Sequence, residues 1–443
     1  MEGSKNFSRR HWLILLLFGA IGQIAWSVEN MYFNLFVFDT IAPDLEAITL
    51  MVQLSGITAT VVTLVAGTLS DKAGMRRKFI SVGYIIWGVT VALFGFISPE
   101  LIDRFFNTGT AKAIEIALAT VIVGDCVMTL FGSTANDAAF NAWVTDNTTP
   151  KNRGSIEGVI SILPLIAMLI VAGGFGMLVT ALGYSTLFLL LGIVITVCGA
   201  VGIFIIKDSP DLHRCGSMRE IFHGFKPSVV KANPAFYLCL IIILIYGIAC
   251  QVFMPYMIIY MKTYLGFSVV EYSIVFGIAI LLGAIVNLFL GRLSDRMDKV
   301  KLLYVATIVM ALGLFAMYMS RDMGKIADLI LFGISGFVMI CGYIFVCALI
   351  GSTLRDATPT DAVGKLQGVR MVFSVLIPMI VGPMIGNAIN SARNIPIDST
   401  SADAMTTAYM PAPEIFLVGS LITLLMLAVI PVLNRELKRN KTV

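Results

Sequence analysis

The chain has 443 residues, of which 58% are hydrophobic and only 13% charged, with a mean hydropathy of +0.91. A water-soluble fold needs more charge than this to cover its surface, so an ordinary soluble protein is excluded. The net charge of +4, from 31 Lys and Arg against 27 Asp and Glu, leaves a nucleic-acid-binding surface to be weighed by where the cations lie.

Taken in chain order, apolar runs fall at roughly 12–38, 47–69, 78–98, 113–140, 156–181, 185–206, 237–260, 269–290, 301–319, 326–350, 366–390 and 412–433. Runs of about 18 or more apolar residues read as membrane-crossing helices. Backbone groups in lipid must be paired internally, and the short alternating strands of a barrel are absent. The expectation is an all-α integral membrane protein with twelve transmembrane helices. The first run is read as a retained helix and not a signal peptide, since it holds Glu29 and Asn30 and lacks a small-residue cleavage pattern. The seven cysteines form no Cys-x-x-Cys pair, and His11, His213 and His223 lie in flanking or loop segments. Neither a metal nor a cofactor is expected.

With the N-terminus inside, alternate loops place 24 of the 31 Lys and Arg on one side and six on the other, Arg370 lying inside a helix. That asymmetry sets both termini in the cytoplasm and assigns the basicity to topology rather than to nucleic acid. The longest connection on that side, rich in proline, divides the runs six and six. It gives a first bundle over 1–206, a central loop over 207–236 and a second bundle over 237–443.

Two loops are written twice. GTLSDKAGMRRKF, from Gly67, returns as GRLSDRMDKVKLL, from Gly291, 224 residues later. DNTTPKNRGSIEGV, from Asp146, returns as DATPTDAVGKLQGV, from Asp356. Corresponding loops in two six-helix halves are the parallel repeat of a secondary transporter. In each half the first of these loops is read as a hinge on the cytoplasmic face. Gly67 and Gly291 allow close helix approach, Asp71 and Asp295 cap or face a neighbouring helix end, and Arg76 and Arg77 pair with carboxylates of the facing half.

The run Gly-x-Leu-Ser-Asp-Lys-x-Gly-x-Arg-Arg-Lys resembles the second-to-third-loop motif of the major facilitator superfamily. Within it, GAIGQIAWSVENMYFNLFVFDTI and WVTDNTTPKNRG resemble the first helix and fourth-to-fifth loop of the glycoside–pentoside–hexuronide cation symporters, the melibiose-carrier group. The resemblance implies two six-helix bundles and cation-coupled movement of a sugar or glycoside. The chain departs from that group where the cation binds. The positions of its paired helix 2 carboxylates hold Ala59 and Thr63, its helix 1 sugar-binding aspartate falls at Ile24, and its helix 4 aspartate falls near Ser133.

A charge within the membrane is costly and marks a candidate site. Asp125, near mid-depth in the fourth helix, and Glu29, towards the outer end of the first, are the candidate coupling acids. Asp137, near the inner end of the fourth helix, is read as structural. Gln23, Ser27, Asn30 and Asn34 step by four, three and four, and form one polar stripe on the first helix for substrate. Glu29 projects away from it. Tyr246, Gln251 and Tyr256, around a helix-breaking Pro255, are the counterpart in the seventh helix. Trp143 is read as an interfacial anchor, and Arg370 as snorkelling.

The reading is a monomeric secondary active transporter in the cell membrane, coupling a small polar solute to protons or another cation such as sodium. No phosphate-binding loop points to ATP, and no His-Glu-x-x-His or serine elbow points to an intramembrane enzyme. An exporter of amphipathic compounds or lipids and a transporter-like membrane receptor are the competing readings.

Overall fold

The computed structural model describes residues 7–148, 153–209, 222–294, 297–321, 323–359, 363–397 and 408–439. Eleven helical stretches among the described residues are long and apolar enough to cross a membrane. Ten are single crossings: α1 (Arg9–Ile41), α2 (Leu45–Ala73), α3 (Arg76–Phe94), α4 (Thr110–Asp146), α7 (Pro234–Thr263), α8 (Val269–Ser294), α9 (Lys299–Met319), α10 (Lys325–Ala357), α11 (363–393) and α12 (Glu414–Arg439). The eleventh, Ile162–Ile205, has 44 residues, about twice what one crossing needs. It turns at Gly183, whose φ of +77° and ψ of 162° are not helical and suit a residue without Cβ. Two crossings result, α5 (153–182) and α6 (184–205), so the expected twelve stand. A two-residue antiparallel pair, Ile395–Pro396 with Tyr409–Met410, joins α11 to α12.

The chain forms two compact units, Met1–Pro43 with Ile57–Met218, and Asp44–Gly56 with Arg219–Val443. In the first, α3 and α6 lie so close that a Cβ on Gly88 would overlap Gly192 and Thr196. Lipid tails are as apolar as leucine, so helices here associate by close packing between small residues rather than by escape from water. Aromatic side chains fill the space beside them, with Phe33 stacked on Phe94 at 4.1 Å and edge-on to Phe188 at 4.9 Å. The second unit is organised around a core drawn from α7, α9, α10, α11 and α12, including Leu240, Leu303, Val346, Met426 and Ile430.

Helix ends follow local chemistry. Ser8 opens α1 by accepting from the His11 N–H, and Asp298 opens α9 by accepting from Val300. At the other end, Arg10 donates to the Ile205 carbonyl at 2.6 Å, placing a cation on the carboxyl terminus of α6. Pro255 ends the first stretch of α7 at Phe253, and a tight turn over Met254–Tyr256 restarts it. Trp143 corrects its assignment as a lipid-interface anchor. It is fully buried, stacks on Phe140 and donates to the Lys207 carbonyl at 2.8 Å, so it ties α4 to the chain leaving α6.

Candidate functional site

The first helix is not a regular α-helix at its candidate residues. Over Glu29–Phe33, and again over Val37–Ile41, the backbone opens into wide turns in which each N–H reaches five residues back. Each such turn takes up one extra residue, so the face presented beyond it swings by about 100°. This divides the polar stripe. Gln23 and Ser27 are half-buried and Asn30 is exposed, whereas Asn34 is buried, at 2% exposure. The Asn30 and Asn34 amides donate to the carbonyls of Trp26 and Asn30, four residues back.

Glu29, by contrast, turns into the unit. It is 9% exposed, and its Oε1 accepts from the Thr129 hydroxyl of α4 at 3.2 Å. Thr129 is one turn from Asp125 on the same helix face, and both are buried. The Cys126 thiol lies within electrostatic reach of both carboxylates. Glu29, 96 positions before Asp125, thus reaches α4 one turn away from it. Asp137 lies three turns further along the same ladder of positions (125, 129, 133, 137). Its carboxylate accepts from Ser133 at 3.1 Å and Asn136 at 3.3 Å, and the Tyr84 hydroxyl of α3 has two acceptors in reach, the Asn136 side-chain oxygen at 2.9 Å and the Phe18 carbonyl at 2.8 Å. This stretch, Ser133–Phe140, is another wide turn.

In the second unit Tyr246 stacks on Tyr343 of α10 with ring centroids 5.5 Å apart, and its hydroxyl donates to the Tyr343 carbonyl. Gln251 packs where a Cβ on Gly382 would overlap it. Tyr256 is fully buried, its hydroxyl set between Thr49 at 2.6 Å and the Pro383 carbonyl at 3.0 Å. Outside the spans, burial pushes the Tyr409 phenol above its ordinary range, and the Asp44 and Glu46 carboxylates add to the shift. It is neutral at physiological pH either way and switches no charge there.

The repeated loops turn out to be partners of each other. Arg76, 4% exposed, donates from Nε to Asp146 at 2.9 Å and from Nη1 to Ser70 at 2.5 Å, and pairs with Asp71. In the second unit Lys299 pairs with Asp356 at 2.7 Å. Each half therefore ties its first repeated loop to its second. Arg76 finds both carboxylates in its own unit rather than in the facing half, and Asp71 serves that ion pair rather than a helix end. Arg77 is exposed, and its N–H donates to Asp208. At Gly67 an added Cβ would come only to 4.0 Å of Ala138, so close approach does not require glycine there. Gly291 lies in α8, and Asp295 falls outside the described residues.

Thr129, Tyr84, Asn136, Ser70 and Asp146 were not selected from sequence as site residues. The four-residue ladder from Asp125 to Asp137 carried the signal for Thr129, and the repeat of its loop carried it for Asp146.

A family model of the Major Facilitator Superfamily matches residues 15–383. The probable sulfoacetate transporter SauU of Cupriavidus necator is 24% identical over 250 residues, 53% of this chain and 53% of that protein. The match thus spans about half the length of that relative. Among solved structures, a D-xylose–proton symporter superposes with a TM-score of 0.69 at 13% identity, covering 94% of this chain and 96% of that one. The nucleoside transporter NupG superposes with a TM-score of 0.64 at 13% identity, covering 95% and 98%. At such identities the likeness is one of fold.

Proposed function

Because the chain belongs to the major facilitator superfamily, we propose that it is a secondary active transporter moving a small polar solute by alternating access, coupled to protons. The observation that carries this is the hydrogen bond of buried Glu29 to Thr129, one turn from buried Asp125, inside the first unit. A carboxylate buried in an apolar span is expensive when charged and cheap when it holds a proton, so such a pair loads and releases protons as its surroundings change. The neighbouring hydroxyl orients the charged form. Sodium is the alternative ion. A sugar or glycoside is the solute suggested by the melibiose-carrier resemblance. The named solutes of the similar proteins, sulfoacetate, xylose and nucleosides, support small hydrophilic cargo more broadly. Gln23, Ser27 and Asn30 are assigned to the solute path, and the loop residues Gly67, Asp71, Arg76, Arg77, Gly291 and Asp295 to gating. We place the protein in the cell membrane as a monomer with both termini in the cytoplasm.

The test is Asp125→Asn and Glu29→Gln in proteoliposomes, comparing uphill uptake driven by a proton or sodium gradient with counterflow. Loss of gradient-driven accumulation with counterflow retained is expected. If both variants still concentrate solute under a proton gradient, the coupling assignment is wrong.

A further inference from the structure

We propose that the second unit holds a site for a small organic anion, a carboxylate or sulfonate, built from Arg370 of α11, Tyr246 of α7, and Tyr343 and Cys347 of α10. It rests on the transporter reading above and names the class of its solute.

Tyr343 and Cys347 are one turn apart and share one face of α10. Tyr246 fixes that face as the one turned towards α7, since its ring stacks on Tyr343 at 5.5 Å and 29° and its hydroxyl donates to the Tyr343 carbonyl. Cys347 is nonetheless exposed, so space remains open beside the stacked rings. Arg370 comes from the third side. A Cβ on Gly247, the residue after Tyr246, would overlap Pro378 and come within 3.9 Å of the Ser374 carbonyl. Positions 370 and 378 lie eight apart across the wide turn Val372–Leu376, which takes up one residue, so they count as seven regular steps and share one side of α11, and Ser374 between them donates to the Arg370 carbonyl at 2.8 Å. Arg370 therefore starts from the side of α11 that meets α7, is itself exposed, and acts electrostatically on Cys347.

The heights agree. Arg370 lies about 10 Å along α11 from residue 363 and Cys347 about 15 Å along α10 from Ala357, a gap that a long side chain spans. Directly after Arg370 the backbone opens into a wide turn, Val372–Leu376, none of whose five residues is buried. Wide turns recur where a helix is shaped for a ligand.

The chemistry selects an anion. A guanidinium keeps its charge, and its fork of N–H donors matches the oxygens of a carboxylate or sulfonate. The tyrosine rings offer apolar surface for the organic part and thin out the water that would weaken the charge contact. The acids of the first unit then hold the proton, and a monoanion crossing with one proton moves no net charge.

The experiment uses Cys347 as its own probe, in the full-length protein with Cys126, Cys198, Cys215, Cys239, Cys250 and Cys341 replaced by serine. Its rates of reaction with methanethiosulfonate reagents bearing a sulfonate or a trimethylammonium group are compared. The sulfonate-to-ammonium rate ratio should fall roughly ten-fold in Arg370→Gln and persist in Arg370→Lys. Acetate or ethanesulfonate should slow labelling with Arg370 present and not in Arg370→Gln, while glucose should not. Size-exclusion and thermal-unfolding profiles verify that the variants fold. A ratio unchanged by Arg370→Gln, no protection by either anion, or a Cys347 that reacts with neither reagent overturns the site. Labelling needs no transport, so this result stands apart from the Asp125 and Glu29 test of the coupling reading.

Discussion

Replacing Arg76 by alanine should destabilise the first unit by about 3 kcal/mol, reasoned contact by contact. The guanidinium side chain is 5% exposed and its Asp146 partner 22%, so removing Arg76 strands a mostly dry carboxylate. A hydrogen bond to such a charged group is worth about 1.5–3 kcal/mol, and about 2 is taken here. Asp71, 42% exposed, is rehydrated on losing its partner and adds about 0.5 kcal/mol. Ser70, fully buried, keeps its bond to the Gly67 carbonyl and adds a similar amount. For a unit of this size about 3 kcal/mol corresponds to a midpoint lower by about 6–12 °C. The assay is thermal unfolding of the detergent-solubilised protein. Arg76→Lys supplies one point charge where three directed contacts existed and should lose about half as much. A double-mutant cycle with Asp146→Asn should return about 1.5 kcal/mol of coupling. An Arg76→Ala variant within about 1 kcal/mol of the parent would refute the account.

The equivalent ion pair of the second unit should behave differently. Lys299 and Asp356 are 39% and 65% exposed, so Lys299→Ala should shift stability by about 1 kcal/mol or less, seen as an almost unmoved melting midpoint. Along α1, single cysteines at Gln23, Ser27 and Asn30 should react with water-soluble thiol reagents while one at Asn34 stays silent. Labelling at position 34 as fast as at 30 would show that the wide turn does not divide the stripe.

What could be read from sequence was whatever depends on runs and repeats. Twelve crossings and the paired loops follow from hydropathy and spacing, and even the break between 181 and 185 was visible in the run lengths. What could not be read depends on distance in space or on backbone irregularity. Nothing local in the chain says that Arg76 will meet Asp146, 70 positions on, or that Thr129 will reach Glu29. A rotation of 100° per residue is sound for Gln23 and Ser27 and fails for Asn34, because the turn at 29–33 breaks the period on which it relies. Trp143 was misjudged for a related reason. A tryptophan near a helix end faces lipid on average, yet here the carbonyl of Lys207, 64 positions away, claims its N–H.

The wide turns also bear on how roles are carried between related chains. Each holds one residue more than a regular turn, the equivalent of a single insertion absorbed without breaking the helix. An alignment that runs without a gap through 29–33 or 133–140, set against a relative whose helix is regular there, pairs residues that look in different directions from that point on. At the 13% identity of the superposed structures no sequence signal would correct the slip. Matching by position in space, with one-residue gaps admitted at those turns, is the safer way to ask which residue of another transporter corresponds to Asn34 or to Asp137.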